Sequence, residues 1–236
     1  LDFKMQSFNG TDGADASSVL TANTNWQRFE FTTTVTIDSN FYPVQVSGLV
    51  GGDFLIWGAQ LEEGSYATSY IPTSGSTVTR NQDIFTRDGI GSLINSTEGV
   101  LFLEMAALSD DGTSRSISLN NGSSSNRIAI QFRATSGQIN SAIVVGGVAQ
   151  AVMPFTISQT NAYIKIALKY KENDFALWVN GTEVATDTSG STFSSGTINS
   201  LDFDDGNGTE DFYGKVKQLQ VFKTALTDPE LATLTT

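Results

Sequence analysis

The chain of 236 residues has no cysteine, no histidine, only four prolines and only 16% charged residues. Each shortage removes chemistry. Without histidine there is no imidazole base for a nucleophile and no histidine-built zinc site. Without cysteine there is no disulfide framework, no thiolate nucleophile and no cysteine-ligated metal or iron–sulfur cluster. Basic residues are scarce as well: 13 Lys and Arg face 25 Asp and Glu, a net charge of −12. Phosphate binding needs clustered Lys and Arg, so nucleic acid is not the expected partner. Residues 1–80 hold three basic against eight acidic residues and residues 81–236 hold ten against seventeen, so neither part hides a basic arm. No apolar run reaches the roughly 18 residues of a membrane-spanning helix. The longest candidate, AIVVGGVAQAVM at 142–153, is broken by Gly146-Gly147. The strings G-x-S-x-G, S-x-x-K, G-x-G-x-x-G and a Walker loop are absent too.

What the chain does have is alternation. In YIKIALKYK (163–171), Ile164, Ile166, Leu168 and Tyr170 share one strand face, with Lys165, Lys169 and Lys171 on the other. RIAIQFR (127–133) repeats the pattern, with Ile128, Ile130 and Phe132 inward and Arg127, Gln131 and Arg133 outward. Asn180-Gly181 and Gly146-Gly147 sit between such runs and suit two-residue primed turns. Further strands are expected near 99–108, 115–119, 138–145, 148–153, 174–179, 182–186, 198–203 and 212–222. Many short strands with regular turn signals give an all-β class. Helical signal is confined to the C-terminus: Thr227-Asp-Pro-Glu230 is a capping box, flanked by Leu226 and Leu231 as a hydrophobic staple.

The segment 73–97 is rich in Ser, Thr, Gly and Asn and breaks the alternation, so it is read as the boundary between a unit at 1–72 and one at 98–236. In the first unit, strands are expected at 26–37, with Phe29, Phe31, Val35 and Ile37 inward, then at 43–49 and 53–61. Trp26 and Trp57 fall in these strands and read as structural, while Tyr66 and Tyr70 stand near the boundary. About 70 residues is small for a disulfide-free sandwich. With Leu rather than Met at position 1, the unit reads as the later part of a longer module or as one that packs on its neighbour.

Paired carboxylates are the one common hydrolase chemistry this composition permits. Sandwich glucanases carry their acids at alternate strand positions, E-x-D-x-E or E-x-D-x-x-E, on one face. No such string occurs, and Asp110-Asp111 and Glu210-Asp211 are adjacent pairs suited to loops, so catalysis is not expected. Acids cluster most in DFDDGNGTED (202–211), where Asp204, Asp205 and Asn207 are candidate Ca²⁺ ligands. The spacing departs from the D-x-[DN]-x-[DN]-G loop, and a solvated turn is the alternative. In FALWV, Trp178 lies opposite Phe175, Leu177 and Val179 and is either a sugar-stacking platform or a cover for its neighbours. The Asn-Gly-Ser/Thr triplets at Asn121, Asn180 and Asn207 read as turns.

Two stretches carry family resemblances. WGAQLEEGSYATSYIPTSG from Trp57, followed by STVTR and preceded by WQRFEF at 26–31, resembles the end of a carbohydrate-binding-module-like jelly roll of phage virion and marine bacterial surface proteins. EGVLFLEMAA (98–107), KIALKYKENDFALWVNGTEVA (165–185) and FYGKVKQLQVFKTALTDPELATL (212–234) resemble a concanavalin A-like, laminin-G-like lectin domain. Two jelly-roll-like β-sandwich modules are therefore implied, the second with a short C-terminal helix. The resemblance further implies glycan binding through rim loops or the concave sheet, often with Ca²⁺. Trp178, Asp110, Asp111 and Asn121 are the candidate ligand residues. The implied setting is a tail fibre, head fibre or related surface assembly, extracellular, contacting other fibre proteins and trimeric by analogy. The expectation is a non-catalytic adhesion module binding cell-surface glycan. A purely structural virion protein is the alternative, and a polysaccharide-degrading enzyme a third reading.

Overall fold

The computed structural model describes residues 2–8, 14–32, 44–48, 53, 55–81 and 83–236, in two compact units, 1–81 and 82–236. The division falls inside the Ser/Thr/Gly-rich stretch.

In the first unit, β1 (Asp2–Phe8), β2 (Ala14–Thr21) and β3 (Val44–Gly48) form an antiparallel sheet in the order β2-β1-β3. The strand expected at 43–49 is present as β3, whereas β1 and β2 were not anticipated. Residues 26–32 and 55–61, expected as strands, run irregularly, and 33–37, with Val35 and Ile37, lie outside the described residues. Trp26 and Trp57 are 73% and 74% exposed, so they do not play the structural strand role expected of them. A polar knot holds the irregular segments together instead. Thr68 donates through its backbone N–H and its hydroxyl to Glu62, which holds that carboxyl below its usual range. Gln60 accepts from the Ile71 amide at 2.8 Å, Arg80 donates to Thr68 and Ser69, and Arg28 reaches the Thr68 carbonyl. The two segments that carry the first resemblance are thus bound to each other through Arg28 and Thr68.

The second unit is a two-sheet sandwich. One sheet runs β12 (Thr182–Asp187), β11 (Phe175–Val179), β10 (Ile164–Lys171), β5 (Glu98–Ala107), β14 (Gly214–Phe222). The other runs β4 (Thr86–Arg87), β13 (Ser200–Asp202), β6 (Arg115–Asn120), β7 (Arg127–Phe132), β8 (Gln138–Val145), β9 (Val148–Thr156). All pairings are antiparallel. The short β4 and a 3₁₀ turn at Gly91–Leu93 lie within the stretch expected to be linker and belong to this unit. The core lies between the sheets. Leu101, Leu103 and Met105 face Ile117, Leu119, Ile128 and Ile130, and the expected inward set Ile164, Ile166, Leu168 and Tyr170 is all there. Asn180 and Gly181 take φ of 46° and 81°, and Gly146 and Gly147 take 58° and 82°, the primed-turn conformation that the strand twist needs.

The helix α1 (Asp228–Thr235) starts at the Thr227–Glu230 capping box, where the Thr227 N–H donates to the Glu230 carboxylate at 2.8 Å. Its Leu231 packs on Val100, Phe102, Ala167, Ala176 and Trp178, the side of the five-stranded sheet facing away from the core. Lys169, expected in solvent, is buried for the same reason and pairs with Asp174 at 2.6 Å and with Asp228 of the helix at 3.8 Å.

Gly99 marks the tightest approach. A Cβ there would stand 2.4 Å from the Phe222 carbonyl and 2.5 Å from the Tyr170 hydroxyl, which donates to the Asn95 carbonyl at 2.8 Å. Because one neighbour is backbone, it cannot swing aside. In urea melts, Gly99→Ala is expected to lose about 3 kcal/mol, while Tyr170→Phe, which removes only a hydrogen bond, loses about 1 kcal/mol.

Candidate functional site

A sandwich has two outer faces, and here they differ. On the five-stranded sheet, Trp178 does alternate away from the core as its sequence position requires. Yet it is only 8% exposed, because α1 lies on it. Its ring is a cover for the sheet, the second of the two roles that its sequence position leaves open. An open groove beside the helix, lined by Phe222, Leu226, Pro229, Glu230, Thr233 and Leu234, is almost wholly apolar and offers little to orient a hydroxylated ligand.

The outer face of the six-stranded sheet is mostly polar on β6 and β7, while β9 brings Val152 and Pro154 to it. The register places Ser116, Gln131 and Asn140 in one cross-strand row, Asp202, Ser118, Ala129 and Ala142 in the next, and Asn120 and Arg127 in a third. The Asn120 amide donates to Asp202 at 2.7 Å and to Ser118 at 2.9 Å. Four atoms on this face are buried without a hydrogen-bond partner: Ser116 Oγ, Arg127 Nε, Asn140 Oδ1 and Asp202 Oδ1. Buried polar atoms are nearly always paired, and of the seven such atoms among the described residues four lie on this face, the others being Arg115 Nε, Ser141 Oγ and Trp178 Nε1.

The acidic segment after β13 folds over this face. Phe203 and Phe212 form its stem: the Phe212 amide donates to the Phe203 carbonyl at 2.8 Å, and their rings meet Phe85 and Phe132 at 4.6 and 6.3 Å. From the stem the loop reaches across β6 to β7. Gly206 lies against the Asn120 side chain, and Asp205 stands 3.6 Å from Arg127. Glu210 accepts from Gln131, stands 3.9 Å from Arg133, and through its carbonyl accepts the Ser116 amide at 2.8 Å. Gln131, expected in solvent, is therefore buried beneath the loop.

The expected Ca²⁺ ligands are committed to this loop. Asp204 accepts from the Gly206 amide, and Asp205 accepts from Asn207 at 3.0 Å and Thr209 at 3.2 Å while pairing with Arg127. Asn207 is exposed. Burial pushes the Asp204 carboxyl up, and the charges of Asp202 and Asp205 add to the shift against the loop amides that oppose it. Among the described residues no three His, Cys, Asp or Glu side chains are grouped to hold a metal ion.

Asp110, Asp111 and Asn121 do not come together: the first two precede β6 and Asn121 follows it. Asp110 accepts from Ser136. Asp111 accepts from Ser109 at 2.7 Å and pairs at 2.6 Å with Arg115, which is 2% exposed. These two aspartates pin the β5–β6 loop. Asn121 is exposed in the β6–β7 turn. The residues that sequence reasoning missed are Asn120, Arg127, Gln131, Asn140 and Glu210. Arg127 and Gln131 were visible as the outward set of β7, but nothing local showed what would cover them.

Partial burial pushes the Asp111 carboxyl up, but the hydrogen bonds from Ser109 and Arg115 and the Arg115 charge outweigh it and hold it well below the usual carboxylate range. A lowered value contributes stability above the unfolded-state pKa of about 3.9 and loses it as pH falls further. Asp111→Asn is therefore expected to cost about 2 kcal/mol at pH 7. In urea melts the gap from the parent protein should narrow below about pH 4; a gap unchanged at pH 2 contradicts the ion-pair account.

No curated protein matches the sequence. Among solved structures, the chain is similar to the CBM40 of the Ruminococcus gnavus IT-sialidase, at 17% identity and a TM-score of 0.51, over 64% of this chain and 98% of that one. The NanB sialidase of Streptococcus pneumoniae superposes with the same TM-score, 0.51, at 19% identity over 64% of this chain and 27% of that one. The leech intramolecular trans-sialidase gives 0.49 at 20% identity, over 59% and 23%. The chain thus spans about a quarter of each of these two enzymes but nearly all of the CBM40. These likenesses concern the fold. The family described as the concanavalin A-like lectin/glucanases superfamily matches residues 102–232, more than half of the sequence, and the chain belongs to it.

Proposed function

We propose that residues 82–236 form a non-catalytic glycan-binding module that uses the outer face of the six-stranded sheet. The observation that carries this reading is the set of unpartnered Ser116, Arg127, Asn140 and Asp202 atoms on that face, opposite an outer face sealed by α1. Hydroxyl-rich ligands supply donors and acceptors together, which is what such a mixed set lacks. Membership of the concanavalin A-like lectin/glucanases superfamily and the likeness to a CBM40 support a carbohydrate-directed reading. On the loop that covers this face, Asp205 and Glu210 are tied to Arg127, Gln131 and Arg133. The setting we infer is a phage-type virion or related extracellular surface assembly, on the strength of the motif that begins at Trp57.

A structural role in such an assembly is the second reading. It is favoured by the first unit, where Leu55, Ile56, Trp57 and Leu61 are all strongly exposed, a composition suited to protein contact.

The test is an array of sialylated, neutral and uronate oligosaccharides, followed by calorimetry on any that bind. Binding should weaken about tenfold in Asn140→Ala, a loss of about 1.4 kcal/mol. Thr233→Ala, beside the helix groove, should bind as the parent does. Failure to bind across the envelope sugars of candidate hosts removes the glycan reading and leaves the structural one.

A further inference from the structure

The loop over the six-stranded sheet does not satisfy what it covers. Ser116 and Asp202 are at most 5% exposed, yet Ser116 Oγ and Asp202 Oδ1 have no partner, and neither do Arg127 Nε and Asn140 Oδ1 nearby. A permanent cover is expected to fill such atoms, because a buried polar group left unpaired is costly. The polar contacts that hold the loop down are the Asp205–Arg127 pair at 3.6 Å with an Arg127 hydrogen bond to the Asp205 carbonyl at 3.5 Å, the Glu210–Arg133 pair at 3.9 Å, the Gln131–Glu210 hydrogen bond and the Ser116 amide on the Glu210 carbonyl. Gly206 also rests on the Asn120 side chain. Both ion pairs are partly exposed, and pairs of that kind hold weakly.

The loop turns sharply at defined points. Its stem is fixed by the Phe203–Phe212 backbone bond and by rings packed toward the core. Beyond the stem, Gly206, Gly208 and Glu210 take φ of 86°, 73° and 58°. For Glu210, a residue with a side chain, the left-handed region is disfavoured. The residue that makes three of the latching contacts is therefore the one held in a strained backbone, and lifting the loop releases it.

We propose that residues 204–211 are a lid over a glycan site on β6–β8, and that the ligand enters with the lid raised. Sugar hydroxyls then pair with Ser116 Oγ, Asp202 Oδ1, Arg127 Nε and Asn140 Oδ1, the atoms the lid leaves empty-handed. The ligand half of this inference rests on the glycan reading above; the lid half does not.

The lid is tested without ligand by amide hydrogen exchange on the unmodified protein. The Ser116 amide, whose acceptor is a loop carbonyl, should exchange at least tenfold faster than those of Ile117 and Leu119, whose acceptors lie within the sheet. Exchange of Ser116 only together with Ile117 and Leu119 overturns the lid. A second arm uses the absence of native cysteine. A Cβ on Gly206 would stand 3.0 Å from the Asn120 Cβ, close enough for the double variant Asn120→Cys, Gly206→Cys to cross-link the loop after a small adjustment. On the oligosaccharide array, the oxidised form should bind at least tenfold more weakly than the same protein reduced. Equal binding by the two forms overturns the lid. If the parent binds none of the sugars, the ligand assignment fails, and the exchange result still decides the lid. That result also stands if the double variant does not fold.

Discussion

β5 has to be buried on both of its faces at once, and the rest of the second unit is arranged around that demand. Leu101, Leu103 and Met105 point into the sandwich, while Val100 and Phe102 point the other way. Each large side chain buried in this way contributes roughly 1.5–3 kcal/mol. The inner set is covered by the six-stranded sheet. The outer set needs a second cover, and α1 supplies it through Leu231. Where the helix does not reach, the outward residue is Glu104, and Lys217 of β14 pairs with it at 2.6 Å. Gly99, at the start of the strand, is small because the Tyr170 hydroxyl and the Phe222 carbonyl both come against it.

This demand sets the asymmetry of the sandwich. The five-stranded sheet spends its outer face on the terminal helix, and so Trp178 is lost to any ligand. The six-stranded sheet has no helix, and the outward residues of β6–β8 are mostly polar, Ser116, Ser118, Asn120, Arg127, Gln131 and Asn140, with Ala129 and Ala142 among them. Its cover is an acidic loop that touches the face through a handful of polar contacts. One face is closed by apolar packing. The other is closed by hydrogen bonds and partly exposed ion pairs, which are easier to exchange for those of a ligand.

Much of this fold is legible in the sequence because the signals are local. Ile164 to Tyr170 and Ile128 to Phe132 declare their inward faces by alternation, Asn180-Gly181 and Gly146-Gly147 declare their turns, and Thr227 with Glu230 declares the helix start. What the sequence does not show is what lands on an outward face. Lys169, Gln131 and Trp178 all alternate correctly, yet all three are buried by segments distant in the chain. The acids of 202–211 illustrate the same limit. Their spacing suggests metal ligands or a solvated turn, whereas their partners are loop amides and an arginine 78 residues away. In the first unit, Trp26 and Trp57 sit in stretches that read as strands, but a polar knot around Thr68 organises those segments instead.

The central claim is that ligand meets this chain on the outer face of the six-stranded sheet. Amide chemical-shift mapping during titration with an arrayed oligosaccharide tests it most directly. The account predicts shifts concentrated at Ser116–Asn120, Arg127–Gln131 and Asp204–Glu210, with the amides of α1 and β11 unmoved. Shifts centred on α1 and the groove beside it, or on the first unit, would contradict it.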